Sequence, residues 1–332
     1  MISRLNILYS FGPPTEEANP YVRLLAREVA PAVNVHYFSW QFALLGSYDI
    51  FHVHWPEALV RRKTVKGRVA SLILMSLLLV RLAATRTPIV RTEHNLHPHE
   101  PGGWFETQLL GALDRRTAIW VVMNTGESNG PAAKRSYIPH GHYREWYEIR
   151  SAPQKTEGVI LNFGLLRPYK GVEDLIAAFS DIPPSSKSFL KLKIMGKPQT
   201  LKVRQDVMRC IADDAHISAD LRHIPDEELV DEISKAQLVA LPYRSMHNSG
   251  ALLMALSLNT AVLVPRSHAN DSLAAEVGEE WVQRYEAQLT PKDILRASQS
   301  VANLTGSPNL SGRQWSLVGA RHIEVYNSAV ER

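Results

Sequence analysis

Residues 162–179, NFGLLRPYKGVEDLIAAF, set a Gly, an Arg and a Lys between an apolar run and a helix-periodic one. Asn162-Phe163-Gly164 closes the run Val159-Ile160-Leu161, while Val172, Leu175, Ile176 and Phe179 recur at helical spacing. The basic pair therefore belongs to a strand-to-helix loop. Gly164 and Gly171 let backbone approach a ligand, and Arg167 and Lys170 supply positive charge at the mouth of the following helix, as an anion cradle requires. A plain loop with two solvated cations would read the same in isolation.

Other residues able to do chemistry collect at comparable places. YRSMHNSG ends an apolar run with Tyr243 and Arg244, and its Ser249-Gly250 opens a helix whose free N–H groups favour an anion, or forms a simple cap. VRTEHNLHPHE places His94, His97 and His99 after another run. Three histidines suggest zinc, but they lack i, i+4 helical spacing and no Cys accompanies them, so His94 reads as a sugar or phosphate contact or as a plain loop residue. Glu57, after FHVHWP, and Glu100, closing the histidine loop, are the candidate general bases if a hydroxyl must lose a proton, with Glu93 and Glu16 behind them. Glu57 also suits the N-terminal turn of a helix after Pro56. Gly12 in FGPPT and His140 in YIPHGHY complete the set, on the acceptor or sugar side.

These segments are positioned by two runs of alternating strands and helices. In the first half LNILYS, VNVHYFS, YDIFHVHW, PIVRTEHN and AIWVVMN read as strands; in the second half GVILNFG, LKLKIMG, ADLRHIP, AQLVALPY and TAVLVP do. Such alternation predicts two Rossmann-like α/β domains with parallel sheets facing a cleft. In open sheets of this kind ligands bind beyond the carboxyl ends of the strands, where all five polar clusters lie. The expected division is 1–145, 146–300, and a terminal helical segment 301–332 free to cross back to the first domain.

A length of 332 residues suits two domains, and 45% hydrophobic with 21% charged residues is an ordinary soluble composition. One cysteine, Cys210, leaves no disulfide framework, and MISRLNILYSF reads as a first strand rather than a signal peptide, so a cytoplasmic location is expected. Residues 1–150 hold 17 Lys and Arg against 12 Asp and Glu; residues 151–332 hold 20 against 21. Much of the excess is Arg61, Arg62, Lys63, Lys66 and Arg68, leading into VASLILMSLLLVRLAA. A basic flank before an apolar helix fits docking on the anionic inner face of a membrane, or a core helix with a solvated start; its uncharged run is too short to span a bilayer. The charge excess is too small and the aromatic-basic interleaving too sparse for a nucleic-acid binder. No Gly-x-Gly-x-x-Gly occurs, which excludes an ordinary dinucleotide-dependent oxidoreductase.

Taken together, FGLLRPYKGVEDLIAAF, HIPDEELVDEISKAQLVALPYR, SGALLMALSLNTAVLVP, YIPHGHY and TEHNLHPHE resemble a GT-B glycosyltransferase, closest in pattern to glycosyltransferase family 4. The resemblance implies a donor-diphosphate loop at Gly164, Arg167 and Lys170, with Tyr243, Arg244, Ser249 and Gly250 beside it and His94 against the donor sugar. It implies a nucleotide-sugar donor, GDP-mannose ahead of UDP-hexoses, and a lipid-linked or growing cell-surface glycan as acceptor. The family's pair of glutamates eight positions apart falls at Met246 and Met254, and thioether side chains cannot hold a ribose diol. A divergent relative of the exopolysaccharide mannosyl- and glucuronosyltransferases fits that departure. No Asp-x-Asp is present, so fixed cations rather than a metal cofactor are expected to meet the leaving diphosphate. A sugar-nucleotide epimerase of the same architecture is the competing enzyme class, and a non-catalytic binding protein the competing non-enzyme.

Overall fold

The computed structural model describes residues 4–15, 19–96, 102–147, 154–244, 246 and 248–331. The chain forms two compact units: Met1–Gly141 with Gly312–Arg332, and His142–Ser311. The divisions fall at 141 and 311 rather than at 145 and 300.

In the first unit β1 (Asn6–Tyr9), β2 (Asn34–His36), β3 (Ile50–His54), β4 (Ile89–Glu93), β5 (Thr117–Val122) and β6 (Arg135–Tyr137) make one parallel sheet in the order β2-β1-β3-β4-β5-β6. In the second, β7 (Thr156–Phe163), β8 (Lys191–Met195), β9 (Ile217–Asp220), β10 (Ala236–Ala240), β11 (Ala261–Pro265) and β12 (Val282–Tyr285) make another, β12-β11-β10-β7-β8-β9. Inner strands such as β3 and β10 are buried at every position, as strands of a parallel sheet covered on both faces must be. The edge strands β6 and β12 escape sequence reading because three or four mixed-polarity residues carry no period. ADLRHIP contributes only its first two residues to β9.

Each sheet has one place where the strand order reverses. In the first unit it lies between β1 and β3, in the second between β7 and β10. The loops that leave these strands border the crevice where open α/β sheets bind ligands. In the second unit these loops carry Gly164 to Lys170 and Tyr243 to Ser249.

The helix Val65–Ala84 begins at Thr64, whose hydroxyl accepts the Gly67 N–H at 3.1 Å. It buries Met75, Leu78, Leu79 and Leu82 in a cluster with Phe51, Val53 and Ile89 of the sheet. One face is thus core, as one of the two sequence readings required; the opposite face is taken up below.

The terminal helix Trp315–Val330 packs on the helix Pro20–Val29 and on β3, β4 and β5 of the first unit. A buried polar network joins it to the sheet. Tyr326 Oη lies 2.9 Å from Tyr9 Oη and 2.8 Å from His52 Nδ1, and His52 Nε2 lies 2.8 Å from Thr92 Oγ1. His322 Nδ1–H donates to the Val318 carbonyl at 2.8 Å, leaving a buried Nε2 without a partner. Around these stand His54, His94 and His140, with His52 and His54 rings 4.3 Å apart.

Five clustered imidazoles away from water cannot charge cheaply. Burial, and then repulsion from neighbouring histidines, holds His52, His54 and His94 well below the usual imidazole range; burial pulls His140 and His322 down to about 4. In the unfolded chain each returns to about 6.5. Because the folded values are depressed, the unfolded state binds more protons in acid, and stability is complete above pH ~6.5 and lost as pH falls towards 4. His140 and His322 should each forfeit about 2 kcal/mol between neutrality and pH 5. Urea titrations across pH 5–8 should show stability falling with acid at a slope of more than one proton, and His322→Leu should flatten that slope by about one proton.

Candidate active site

Two cations dominate the crevice of the second unit. β7 ends at Phe163, and Gly164 turns the chain with φ +102°, open only to a residue without a side chain. The Gly164 N–H donates to the Met195 carbonyl at 3.0 Å, and Leu166 N–H to the Lys197 carbonyl at 2.9 Å, so the loops after β7 and β8 run side by side. The approach is so close that a Cβ on Gly196 would sit 1.9 Å from the Gly164 oxygen.

Pro168–Lys170 then makes one 3₁₀ turn, and Gly171, at φ +63°, releases the chain into the helix Val172–Ser180. A Cβ on Gly171 would meet the Pro242 carbonyl at 2.3 Å, so the loop after β10 closes over this one. Lys170 Nζ lies 5.2 Å from the centre of the Tyr243 ring and would stand 3.2 Å from a Cβ placed on Gly164. Among the described residues neither Arg167 nor Lys170 has a carboxylate partner, and Arg167 Nε is buried without a hydrogen bond. Burial, and then the nearby Arg167, lower the Lys170 ammonium to about 8.

Arg244 is placed otherwise than the sequence suggested. Its guanidinium closes on Asp174 as a fork, Nε to Oδ2 at 2.8 Å and NH2 to Oδ1 at 2.9 Å, and donates to the Pro168 carbonyl. Arg244 braces the cradle and is held by Asp174 in the first turn of the following helix, so it does not stand free to receive a phosphate. Tyr243 is buried and hydrogen-bonded to Ser249; burial pushes its phenol up, and its ring faces the Lys170 ammonium. Ser249 Oγ accepts the Leu252 N–H at 3.2 Å and so caps the helix Gly250–Ser257; Gly250 leaves room for the Tyr143 hydroxyl. Met246 takes a hydrogen bond from Asn270 to its sulfur, and Met254 is core.

In the first unit His94 follows β4. Its ring stacks on Trp55, centroids 3.9 Å apart and planes 18° off parallel, and its Nε2 lies 2.9 Å from His54 Nδ1. Only one of two bonded imidazole nitrogens can carry the proton, so the pair is kept from double charge. Trp55 holds the left-handed region at φ 45°, uncommon for a large side chain and frequent at ligand sites. Glu57 opens the four-residue helix Glu57–Val60, as its dipole favours. Glu93 is buried and accepts the Asn129 N–H at 2.9 Å. His140 is packed 4.9 Å from Tyr21, its Nδ1–H given to the Gly141 carbonyl. A side chain at Gly12 would project into open space. Glu100, Glu16, His97 and His99 lie outside the described residues.

The structure thus gathers Gly164, Arg167, Lys170, Tyr243, Ser249 and Gly250 at one crevice, with Arg244 behind them. Sequence reasoning missed Gly196 and Asp174, and in the first unit His54 and Trp55. The signal for His54 was present: His52 and His54 are two apart on a strand and so share a face.

Comparison with known proteins bears on the family and the fold. Residues 145–288 match the family described as glycosyl transferases group 1. A protein of Xanthomonas campestris pv. campestris named GDP-mannose:glycolipid 4-beta-D-mannosyltransferase is 40% identical over 329 residues, covering 98% of this chain and 93% of its own. The Anabaena protein Alr3699/HepE, solved with UDP and glucose, superposes with a TM-score of 0.66 at 14% identity, over 98% of this chain and 100% of its own. The lipopolysaccharide outer core galactosyltransferase WaaB gives 0.64 at 11%, over 98% and 99%. With the two parallel six-stranded sheets, these likenesses place the chain in the group 1 glycosyltransferases, as a divergent member with the GT-B fold.

Proposed function

We propose that the protein transfers mannose from GDP-mannose to a lipid-linked glycan at the cytoplasmic face of a membrane. The observation that carries this reading is the 40% identity across nearly the whole chain to a relative named for that donor and a glycolipid acceptor. The unpaired Arg167 and Lys170 supply its chemistry. As the anomeric bond breaks, negative charge grows on the departing diphosphate, and two fixed cations in a half-buried crevice meet it without reorganising. Arg167 offers a fork and Lys170 a point charge. The relative's name specifies a β-linked product. From an α-linked donor such a product requires inversion, and inversion requires a base for the acceptor hydroxyl. Glu57, at the carboxyl edge of β3, and Glu100 are the candidates.

The direct test is incubation of purified protein with GDP-mannose and a lipid-linked saccharide, with the anomeric configuration of the product read by NMR. A β-mannoside is the expected product; release of a free epimerised sugar nucleotide would move the protein to the epimerase class.

Arg167→Ala and Lys170→Ala should each reduce turnover by about 100-fold, the scale of one preorganised charge contact, while circular dichroism remains that of the folded protein. Near-normal turnover in either would return the loop to solvated cations. No metal enters this reading, so turnover should survive EDTA; loss on chelation with recovery in magnesium or manganese would contradict it.

His94 belongs to the first unit and the phosphate cations to the second, so their losses should separate. A neutral imidazole accepts one hydrogen bond and donates another, which suits a sugar hydroxyl. His94→Ala should lower kcat with GDP affinity almost unchanged, by transfer assay and calorimetry together. A large loss of GDP affinity would remove His94 from the sugar.

A further inference from the structure

The helix Val65–Ala84 is long and apolar enough to cross a membrane by length and composition, yet Met75, Leu78, Leu79 and Leu82 are committed to the core of the first unit. A helix with one face packed on a sheet cannot be surrounded by lipid. Its other face is equally apolar. Val65, Val69, Ile73, Leu77 and Val80 are each more than half exposed. At 3.6 residues per turn they fall within about 120° of arc, a continuous aliphatic stripe rather than scattered surface residues.

Two further features adjoin the stripe. The helix Trp104–Arg116 packs beside Val65–Ala84, and its first two residues, Trp104 and Phe105, present two large aromatic rings to solvent. Before them, Gly102 and Gly103 join Arg61, Arg62, Lys63 and Arg68 around a cavity of about 390 Å³. Its one acid, Glu106, is already taken by Arg61 at 2.7 Å. Arg62, Lys63 and Arg68 are exposed, and none has a carboxylate partner among the described residues.

We infer that this face docks on an anionic phospholipid surface, with headgroup phosphate in the Arg62–Lys63–Arg68 cavity, the aliphatic stripe against the acyl boundary, and Trp104 and Phe105 at the interface between them. Charge selects this occupant over the other apolar ones. A two-fold contact with a second copy would bring the same unpaired cations together, whereas an anionic surface neutralises them. Aromatic rings beside an aliphatic face and a basic rim are the composition of an interfacial helix. The biological sense of the contact rests on the acceptor being lipid-linked, but the surface argument does not, so either can fail alone.

The test is sedimentation with phosphatidylglycerol vesicles and with phosphatidylcholine vesicles, without nucleotide, for the full chain. The wild type should bind the anionic vesicles and do so less at high salt. Arg62→Ser, Lys63→Ser and Arg68→Ser combined should weaken that binding by on the order of 100-fold. Val69→Ser, Ile73→Ser and Leu77→Ser combined should abolish what remains at high salt, and both variants should keep the wild-type affinity for GDP. Unchanged vesicle binding in either variant would overturn the inference. So would a wild-type dimer that the stripe variant converts to monomer while vesicle binding persists, or saturation of the cavity by inorganic phosphate in a protein that ignores vesicles.

Discussion

A guanidinium and an ammonium held beside each other in a half-buried loop repel one another and lose hydration, and no carboxylate in the described part of the second unit compensates them. That uncompensated pair, Arg167 and Lys170, is the constraint around which the unit is arranged. Gly164 and Gly171 take left-handed conformations so that the loop can turn twice within eight residues, and Gly196 is bare so that the neighbouring loop can press on it. Arg244 occupies Asp174, an acid of the helix that follows the loop. The Tyr243 ring lies against the ammonium, giving it an electron-rich face without a formal charge. A site arranged this way stores electrostatic free energy, which in the proposed reading an arriving diphosphate releases.

The first unit solves a different problem. Its interior holds neutral polar rings rather than charges: His52, His54, Tyr9 and Tyr326 are buried, with His94 at their edge, and hydrogen bonds of 2.8–2.9 Å tie them. The terminal helix brings Tyr326 and His322 to this network, so the last residues of the chain are part of the wall behind the site. Acid should therefore weaken this unit before it affects the other.

The loop, its glycines and the following helix were legible in the sequence because they are local: an apolar run, two glycines and a helical period within eighteen residues. The inner strands of both sheets were legible for the same reason, whereas β6 and β12 at the edges were not. What lay beyond reach was non-local. Arg244 looked available because its partner, Asp174, lies 70 positions earlier. Nothing in the sequence marked His322 and Tyr326, because the residues they meet, Tyr9 and His52, lie near the other end of the chain. The helix Val65–Ala84 has the core face that one of its sequence readings required, but its composition is apolar all round and only the fold says which face is covered. The donor and acceptor come from relatedness, since no arrangement of cations distinguishes guanine from uracil.

Lys170 offers the most direct measurement of the central claim. Its ammonium, lowered to about 8 by burial and Arg167, is half deprotonated at pH 8, and a bound diphosphate must raise it again. Calorimetric titration of GDP at pH 8, in two buffers of different ionisation enthalpy, counts the protons taken up on binding. The account predicts uptake of about half a proton by the wild type and close to none by Lys170→Arg, whose guanidinium stays charged. Equal uptake by the two proteins, or none by the wild type, would contradict the claim that the diphosphate rests on Lys170.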